Sequence, residues 1–346
     1  MKHGVLSMID LTVHPQQLER AVQRARENRI VIPTFAQMRD PALIPEAIKK
    51  QLRHVGLWDV NPLNLFRISW HNEPTMSGGA YGPVNFIELP SVLTGVKARI
   101  IVLCGKWFPT GCHKVGASFG CLAPRLVTGQ FDPTYNKAVW PSTGNYCRGG
   151  AYNSKLLGCE SVAILPAEMS KERFDWLSKI AGEVIATPGC ESNVKEIFDK
   201  TWELRRTRKD VVIFNQFEEM GNVLWHYQVT GKAIADAYES LKTDSTRFAG
   251  ACFTSGSAGT MSAGDYLKEQ YPHAKLAVGE ALQCPTLLEN GFGGHRIEGI
   301  GDKHVPWVHN VKNTDMVIDI DDEDSQNLLR LFNTEDGHRY LTEIVG

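Results

Sequence analysis

A lysine near the end of the first third of the chain is the first candidate for chemistry. Lys114 lies in FPTGCHKVGASFG, after a turn that contains glycine and before a segment of small residues. A lysine that forms an imine needs a neutral amine, which requires a partly buried position that lowers its pKa. The apolar neighbours Val115, Ala117 and Phe119 suit this requirement. An ordinary surface lysine is the alternative interpretation of this segment taken alone.

A second segment gathers small polar residues. The stretch VWPSTGNYCRGGA places four of them directly after a strand-like start: Ser142, Thr143, Gly144 and Asn145. Hydroxyl groups, backbone N–H groups and an amide at a strand-to-helix turn form a receptor for a carboxylate. A plain turn followed by a helix N-cap is the alternative.

A third segment, FAGACFTSGSAGTMSAGDYLKEQY, predicts a strand, a glycine-rich turn and a helix. Glycine lets a backbone approach a phosphate closely, and the following helix N-terminus supplies aligned N–H groups. The turn consists of Gly256, Ser257, Ala258, Gly259 and Thr260. It lacks the Gly-Lys-Ser/Thr ending of a nucleotide-binding P-loop and the spacing of a dinucleotide turn. A small phosphate, such as that of a cofactor, fits better.

The elements around these segments predict an α/β protein, because apolar runs bounded by Gly and Pro alternate with amphipathic stretches. The predicted strands are Ala98–Cys104, Ser161–Leu165, Val211–Phe214, Phe248–Phe253 and Leu276–Gly279. Helical spacing of apolar residues predicts a helix over Ser170–Ala181. The acidic stretch DIDDEDSQNLLRLF is typical of a helix N-terminus, where carboxylates are stabilised by the helix dipole.

The composition of the chain indicates which partners, compartment and bound metals to expect. The 346 residues carry a net charge of -2, which gives no reason to expect nucleic acid or an anionic membrane as a partner. The chain begins without the apolar stretch of a signal peptide and contains no apolar run of membrane-spanning length, so we expect a cytoplasmic protein. The 8 cysteines form no CxxC pair, so neither a zinc site nor any other metal site is expected. Disulfides are unexpected in a reducing compartment.

Taken in order, these segments resemble the cysteine synthase and cystathionine β-synthase family of fold-type II pyridoxal phosphate enzymes, over residues 85–325. ELPSVLTGVKARIIV and FPTGCHK resemble the family's opening and Schiff-base lysine segments, although Gly-x-His-Lys is nearer to tryptophan synthase β. PSTGN resembles its carboxylate-binding loop, and LGCESVAILPAEMSKERFDWLSKIAGEVIATPG the stretch that follows. NQFEEMGNVLWHYQVTGKAI, GSAGT and HRIEGIG resemble the glutamine signature, the cofactor-phosphate turn and a segment near the site.

The resemblance implies a role for each candidate residue. Lys114 would bind pyridoxal 5′-phosphate as an imine and move the α-proton, and Asn145 would hold the oxygen of the cofactor ring. Gly256, Ser257, Ala258, Gly259 and Thr260 would hold the phosphate. The α-carboxylate of the substrate would be bound by Ser142, Thr143, Gly144 and Gln216.

The resemblance also implies an architecture. We expect two three-layer α/β domains of the tryptophan synthase β-like type, with the cofactor cleft between them. The large cofactor-binding domain would comprise residues 1–119 and 236–346, with an N-terminal extension over 1–85, and the small substrate-gripping domain residues 120–235. A homodimer is expected by resemblance only.

The implied activity is β-replacement on a small L-amino acid through an aminoacrylate, with serine, an O-activated serine or cysteine as the donor. Two alternatives remain open. One is a β-elimination lyase of the cysteine desulfhydrase or serine/threonine dehydratase type. The other is a non-catalytic homologue, which is favoured only if the short C-terminus is genuine.

Four departures from the family pattern qualify these expectations. An N-terminal extension precedes the resemblance. Tyr146 stands where the family generally has Thr, which changes the wall near the substrate. Asp302, Lys303 and His304 replace small and aromatic residues, which suits a polar or charged second substrate. The chain ends at Gly346, soon after the acidic helix. Either the natural protein continues, or it lacks part of the large domain that faces the pyridine nitrogen.

Overall fold

The N-terminal part of the fold is helical and irregular. In the computed structural model, the described residues are 6–76, 80–142, 144–189, 194–297 and 299–345. The first elements are α1 (Pro15–Glu27), α2 (Phe35–Arg39) and α3 (Glu46–Leu52). Thr34 begins α2 with a capping box, because its hydroxyl accepts the N–H of Gln37 and the Gln37 side chain accepts the N–H of Thr34.

A short antiparallel hairpin leads to the lysine segment. It consists of β1 (Phe86–Leu89), α4 (Ser91–Thr94) and β2 (Ile100–Leu103). Phe86 pairs with Leu103 and Leu89 with Ile100. After β2, two short 3-10 turns precede the next long helix.

A parallel four-stranded sheet with helices forms the middle of the chain. Its elements in order are α5 (Lys114–Thr128), β3 (Lys137–Pro141), α6 (Asn145–Leu156), β4 (Glu160–Pro166), α7 (Lys171–Ile180), β5 (Glu183–Thr187), α8 (Val194–Thr207) and β6 (Val211–Ile213). The strand order is β5-β4-β3-β6, and all three pairings are parallel. Parallel strands joined by helices place their carboxyl ends along one edge, where ligands bind in such folds.

A second parallel sheet follows in the C-terminal part. The elements are α9 (Met220–Trp225), α10 (Gly231–Leu241), β7 (Gly250–Thr254), α11 (Met261–Gln270), β8 (Lys275–Ala281), β9 (Met316–Ile320), α12 (Asp322–Asn333) and α13 (Glu335–Arg339). A wide turn of π-helix over His226–Thr230 joins α9 to α10. The strand order is β7-β8-β9, with parallel pairing.

Close helix packing fixes the start of α5. An added Cβ on Gly116 would lie 2.1 Å from the Trp225 ring, and one on Gly120 would lie 2.3 Å from the carbonyl oxygen of Gly221. On its other side α5 contacts α6, where an added Cβ on Gly149 would lie 2.8 Å from the Cα of Val115. Helix α5 therefore packs closely against α6 on one side and α9 on the other.

The α/β class and the five predicted strands are confirmed, with ends that shift by one to a few residues. The predicted helix over Ser170–Ala181 and the predicted helix N-terminus in the acidic stretch are confirmed as α7 and α12, and Asp321 caps the latter. Strands β1 and β9 were not predicted. The domain division remains a prediction. No described helix combines the length and apolar composition needed to cross a membrane.

Candidate functional site

Lys114, the first residue of α5, brings three distant segments together. Its Nζ donates hydrogen bonds to Oε1 of Gln216 at 3.1 Å and to Oγ of Ser257 at 2.9 Å. Burial lowers the pKa of Lys114, because the charged ammonium loses hydration. A neutral amine held this way can attack a carbonyl carbon or accept a proton.

Most of the predicted site residues share one cavity. Its volume is about 310 Å³, which is the size of a small-molecule site. The predicted residues that line it are Lys114, Ser142, Gly144, Asn145, Gln216, Gly256 and Ser257. Residues far apart in the sequence are thus brought to one place, although their individual roles remain predictions.

The segment predicted to bind a carboxylate lies at the end of β3. Ser142 is buried, and its Oγ accepts hydrogen bonds from the N–H of Gly144 at 3.3 Å and from Nε2 of Gln216 at 3.4 Å. Thr143 lies outside the described residues. Asn145 is exposed and begins α6. The side-chain amide of Gln216 thus links this segment to Lys114, because its nitrogen donates to Ser142 and its oxygen accepts from Lys114.

The glycine-rich turn has the features of an anion site. Among the described residues, no group accepts a hydrogen bond from the backbone N–H groups of Gly256 to Thr260. These groups precede α11, whose N-terminus carries the positive end of the helix dipole. A Cβ on Gly256 would lie 3.0 Å from the carbonyl oxygen of Gly299, so a side chain there would be crowded. Ala258 adopts a positive φ of 58°, which is uncommon for alanine.

Three of the residues predicted to bind the phosphate lie outside the cavity lining. Ala258, Gly259 and Thr260 do not line the cavity with the other predicted residues. Gly259 packs on α9, because an added Cβ would lie 2.1 Å from Oδ1 of Asn222.

Sequence reasoning assigned no role to two residues of the site. Buried Asn222 donates through Nδ2 to the carbonyl oxygen of Gln216 at 3.0 Å and to Oγ of Ser257 at 3.4 Å. It therefore supports both partners of Lys114. His113 lines the cavity, and burial lowers its pKa to about 3. The only sequence signals were the second Asn of the glutamine signature and the His-Lys pair.

The remaining walls are mixed. Six of the residues that line the cavity carry apolar side chains, and four others carry polar or charged ones: Ile197, Phe198, Phe217, Phe292, Ile297 and Ile300, and Arg173, Thr254, His295 and Asp302. Tyr146, the first departure expected near the substrate, is buried in the same wall, and its hydroxyl donates to Sγ of Cys121 at 3.5 Å. Apolar lining of this kind strengthens the electrostatic interactions inside a site.

The residues present fit a phosphate-bearing aldehyde. A neutral lysine amine suits imine formation, and the unpaired N–H groups of the glycine-rich turn suit a phosphate. Ser257 belongs to that turn and contacts the lysine amine, so the two functions adjoin. Pyridoxal 5′-phosphate carries both chemical groups.

Comparison with known proteins agrees with this fit. The model of the pyridoxal-phosphate dependent enzyme family matches residues 79–340. The chain is similar to a probable cysteine synthase of Bacillus subtilis (strain 168). The two are 29% identical over 230 residues, which is 66% of this chain and 72% of the relative.

Solved structures give the same fold. A cysteine synthase of Entamoeba histolytica superposes with a TM-score of 0.64 at 21% identity, covering 73% of this chain and 74% of that one. A hydrogen sulfide-producing enzyme of Fusobacterium nucleatum superposes with a TM-score of 0.60 at 26% identity, covering 68% and 71%. The predicted fold-type II architecture is therefore confirmed.

Proposed function

Because the chain belongs to the family of pyridoxal-phosphate dependent enzymes, we propose that it replaces the β-substituent of a small L-amino acid through a cofactor attached to Lys114. The enzyme uses pyridoxal 5′-phosphate and acts at the β-carbon of an amino acid. The proposal depends chiefly on one observation: the Nζ of half-buried Lys114 contacts Gln216 and Ser257 from two different predicted binding segments.

The chain's own residues would hold the cofactor at two ends. The backbone N–H groups of Gly256 to Thr260 would bind its phosphate, and the amide of Asn145 would bind its ring oxygen. When bound, pyridoxal 5′-phosphate withdraws electrons from the α-carbon of the amino acid, which acidifies the α-proton and prepares the β-substituent to leave. The protein supplies attachment, orientation and proton transfer.

Lys114 would move the α-proton. Its lowered pKa leaves a larger fraction of the amine neutral at a given pH, and only the neutral amine accepts a proton. Ser142, Thr143, Gly144 and Gln216 would bind the α-carboxylate and so fix which bond of the α-carbon is cleaved. Because Gln216 also accepts a hydrogen bond from Nζ of Lys114, carboxylate binding and the position of the base would be coupled.

Replacement and elimination use the same residues, and water access decides between them. The apolar part of the cavity lining supports replacement, because excluding water protects a reactive species from hydrolysis. The similarity to a hydrogen sulfide-producing enzyme supports β-elimination as the second candidate. Serine, an O-activated serine or cysteine is the donor that we propose in either case.

Attachment at Lys114 is tested by absorption and by covalent trapping. We expect the purified protein to be yellow, and borohydride reduction followed by peptide mass analysis to place the cofactor on the peptide that contains Lys114. The Lys114→Ala variant should show no such adduct and no turnover. Lys106→Ala is the matched control, because Lys106 is exposed and does not line the cavity. An adduct on another lysine would overturn the proposal.

The type of reaction is tested with donors in turn. Visible spectra would be recorded with L-serine, O-acetyl-L-serine and L-cysteine, and keto acid would be measured with and without an added thiol. A spectral change with product only when the thiol is present supports replacement. Pyruvate without any thiol would instead establish elimination.

We further propose that the enzyme is a cytoplasmic homodimer with its cofactor cleft between domains divided near residues 119 and 236. Membership of the family supports this organisation. Light scattering coupled to size-exclusion chromatography tests the dimer, since a mass near that of one chain would contradict it.

A further inference from the structure

The charged segment that follows Gly301 presents one carboxyl group to the cavity. Of its three residues, Asp302 lines the cavity and is 6% exposed. Lys303 and His304 are exposed and do not line it, and Nζ of Lys303 lies 4.6 Å from the centroid of the Phe292 ring. Of these three charged residues, Asp302 alone therefore lines the cavity.

Backbone contacts hold Asp302 beside the glycine-rich turn. The N–H of Gly301 donates to the carbonyl oxygen of Ser255 at 3.0 Å, and Gly299 lies against Gly256. Ser257, in the same turn, contacts the amine of Lys114. Asp302 thus directly follows a residue that is hydrogen-bonded to Ser255, two positions before the serine that contacts Lys114.

Among the described residues, one oxygen of the Asp302 carboxyl group accepts a hydrogen bond and the other does not. Its Oδ1 accepts the N–H of Lys303 at 2.7 Å. No donor to Oδ2 exists among the described parts of the chain. Burial raises the pKa of Asp302. Because Asp302 lines the cavity, a ligand that brings an N–H, O–H or S–H group can donate to Oδ2 in a charge-assisted hydrogen bond.

We propose that Asp302 accepts the proton of a neutral nucleophile (a thiol, alcohol, amine or water) as that nucleophile bonds to the β-carbon. This inference rests on the proposed function. One bond forms between the nucleophile's heavy atom and the β-carbon, and its bond to hydrogen breaks. The proton passes to Oδ2 of Asp302, the α-carbon takes a proton from Lys114, and nothing is oxidised or reduced. An anionic nucleophile has no proton to give and is repelled by the carboxylate.

The Asp302→Asn variant tests this with two nucleophiles. Azide is an anion at neutral pH, whereas 2-mercaptoethanol is a neutral thiol. Because general base catalysis contributes roughly 10²-fold or more, we expect kcat/KM for 2-mercaptoethanol to fall by about 10²-fold, and that for azide to stay level or rise. Asp302→Glu, which keeps the carboxylate, should restore part of the preference. His304→Gln is the matched control and should change neither value.

A second readout does not depend on the cofactor. In protein labelled with ¹³C at the aspartate carboxyl carbons, the resonance lost in Asp302→Asn should titrate above the ordinary aspartate pKa of about 3.9. An ordinary midpoint, or an equal change for both nucleophiles, would overturn the role of Asp302 while leaving the proposed function intact. A wild-type enzyme that turns over no donor would instead overturn the proposed function, and this inference with it.

Discussion

His113, the residue before Lys114, couples the site to the acid stability of the protein. Its ring stacks on Trp70 with centroids 6.1 Å apart and lies 5.2 Å from the ring of His226. Burial, and then the charge of Lys114, lower its pKa to about 3. A histidine in the unfolded chain titrates near 6.5. Between these two pH values the unfolded chain binds more protons, so the free energy of unfolding falls as pH decreases below about 6.5.

Replacing this histidine should therefore flatten the pH dependence of stability. Between pH 7.5 and pH 5, we expect His113→Asn to lose about 2 kcal/mol less of its free energy of unfolding than the wild type loses. Urea unfolding at the two pH values measures the difference. Exposed His304 supplies the control, since His304→Asn should keep the wild-type dependence. Equal losses in His113→Asn and the wild type would show that His113 is not held neutral by the fold.

At this scale the sequence located the residues that meet in the candidate site better than the residues that support them. Lys114, Gln216 and Ser257 occur in recognisable segments, and in the structure Lys114 hydrogen-bonds both of the other two. Asn222 lies in the glutamine signature as well, but nothing in that segment indicates what its side chain contacts. Its importance comes from a contact between α9 and the glycine-rich turn, and that contact exists only once the two segments are folded together.

Among the elements, α5 depends most on close packing. A Cβ added to Gly120 would lie 2.3 Å from the carbonyl oxygen of Gly221 and 2.9 Å from Cβ of Trp225. Backbone atoms cannot rotate away as side chains do, so α5 and α9 would have to separate. Since α5 begins with Lys114, a shift of this helix also moves the reactive amine.

We expect Gly120→Ala to destabilise the protein by about 1–3 kcal/mol, the usual effect of overpacking, although alanine favours helix by roughly 1 kcal/mol. Cofactor content should fall as well. Thermal unfolding and the visible absorbance of the purified protein measure these two effects. Gly82→Ala is the control, because an added Cβ at Gly82 meets nothing within 4 Å. A Gly120→Ala variant as stable and as yellow as the wild type would contradict this packing argument.

Whether a segment is a helix or a strand was easier to predict than which other elements it packs against. Apolar runs such as SVAIL indicate buried strands, and β4 is indeed buried over most of its length. Strand β9 was missed because its sequence, MVIDI, contains a charged residue and its residues are only partly covered. The order β5-β4-β3-β6 and the pairing of α5 with α9 arise from packing between distant segments, which local spacing does not encode.

On the scale of the whole molecule, the N-terminal segment is part of the structure around the site. Trp70 is 5% exposed, and its Nε1 donates to Oγ1 of Thr230 at 3.1 Å, in the turn between α9 and α10. Its ring lies against Phe108 at 4.9 Å, in the segment before Lys114, and stacks on His113. Trp70, which precedes the residues that resemble the family, thus contacts both the segment that leads into α5 and the turn between α9 and α10.

Removing this ring should therefore weaken the fold and the site together. Trp70→Ala deletes a large buried ring and one of the two hydrogen bonds of the Thr230 hydroxyl, so we expect a loss of about 3–5 kcal/mol in the free energy of unfolding. Because His113 loses its stacking partner, cofactor content should fall even in the fraction that stays folded. Chemical unfolding and the ratio of cofactor absorbance to protein absorbance measure the two effects separately. Trp307→Ala, at a tryptophan that is 88% exposed, controls for loss of an indole. If both variants behaved alike, the N-terminal segment would be an accessory to the enzyme and not a support of its active site.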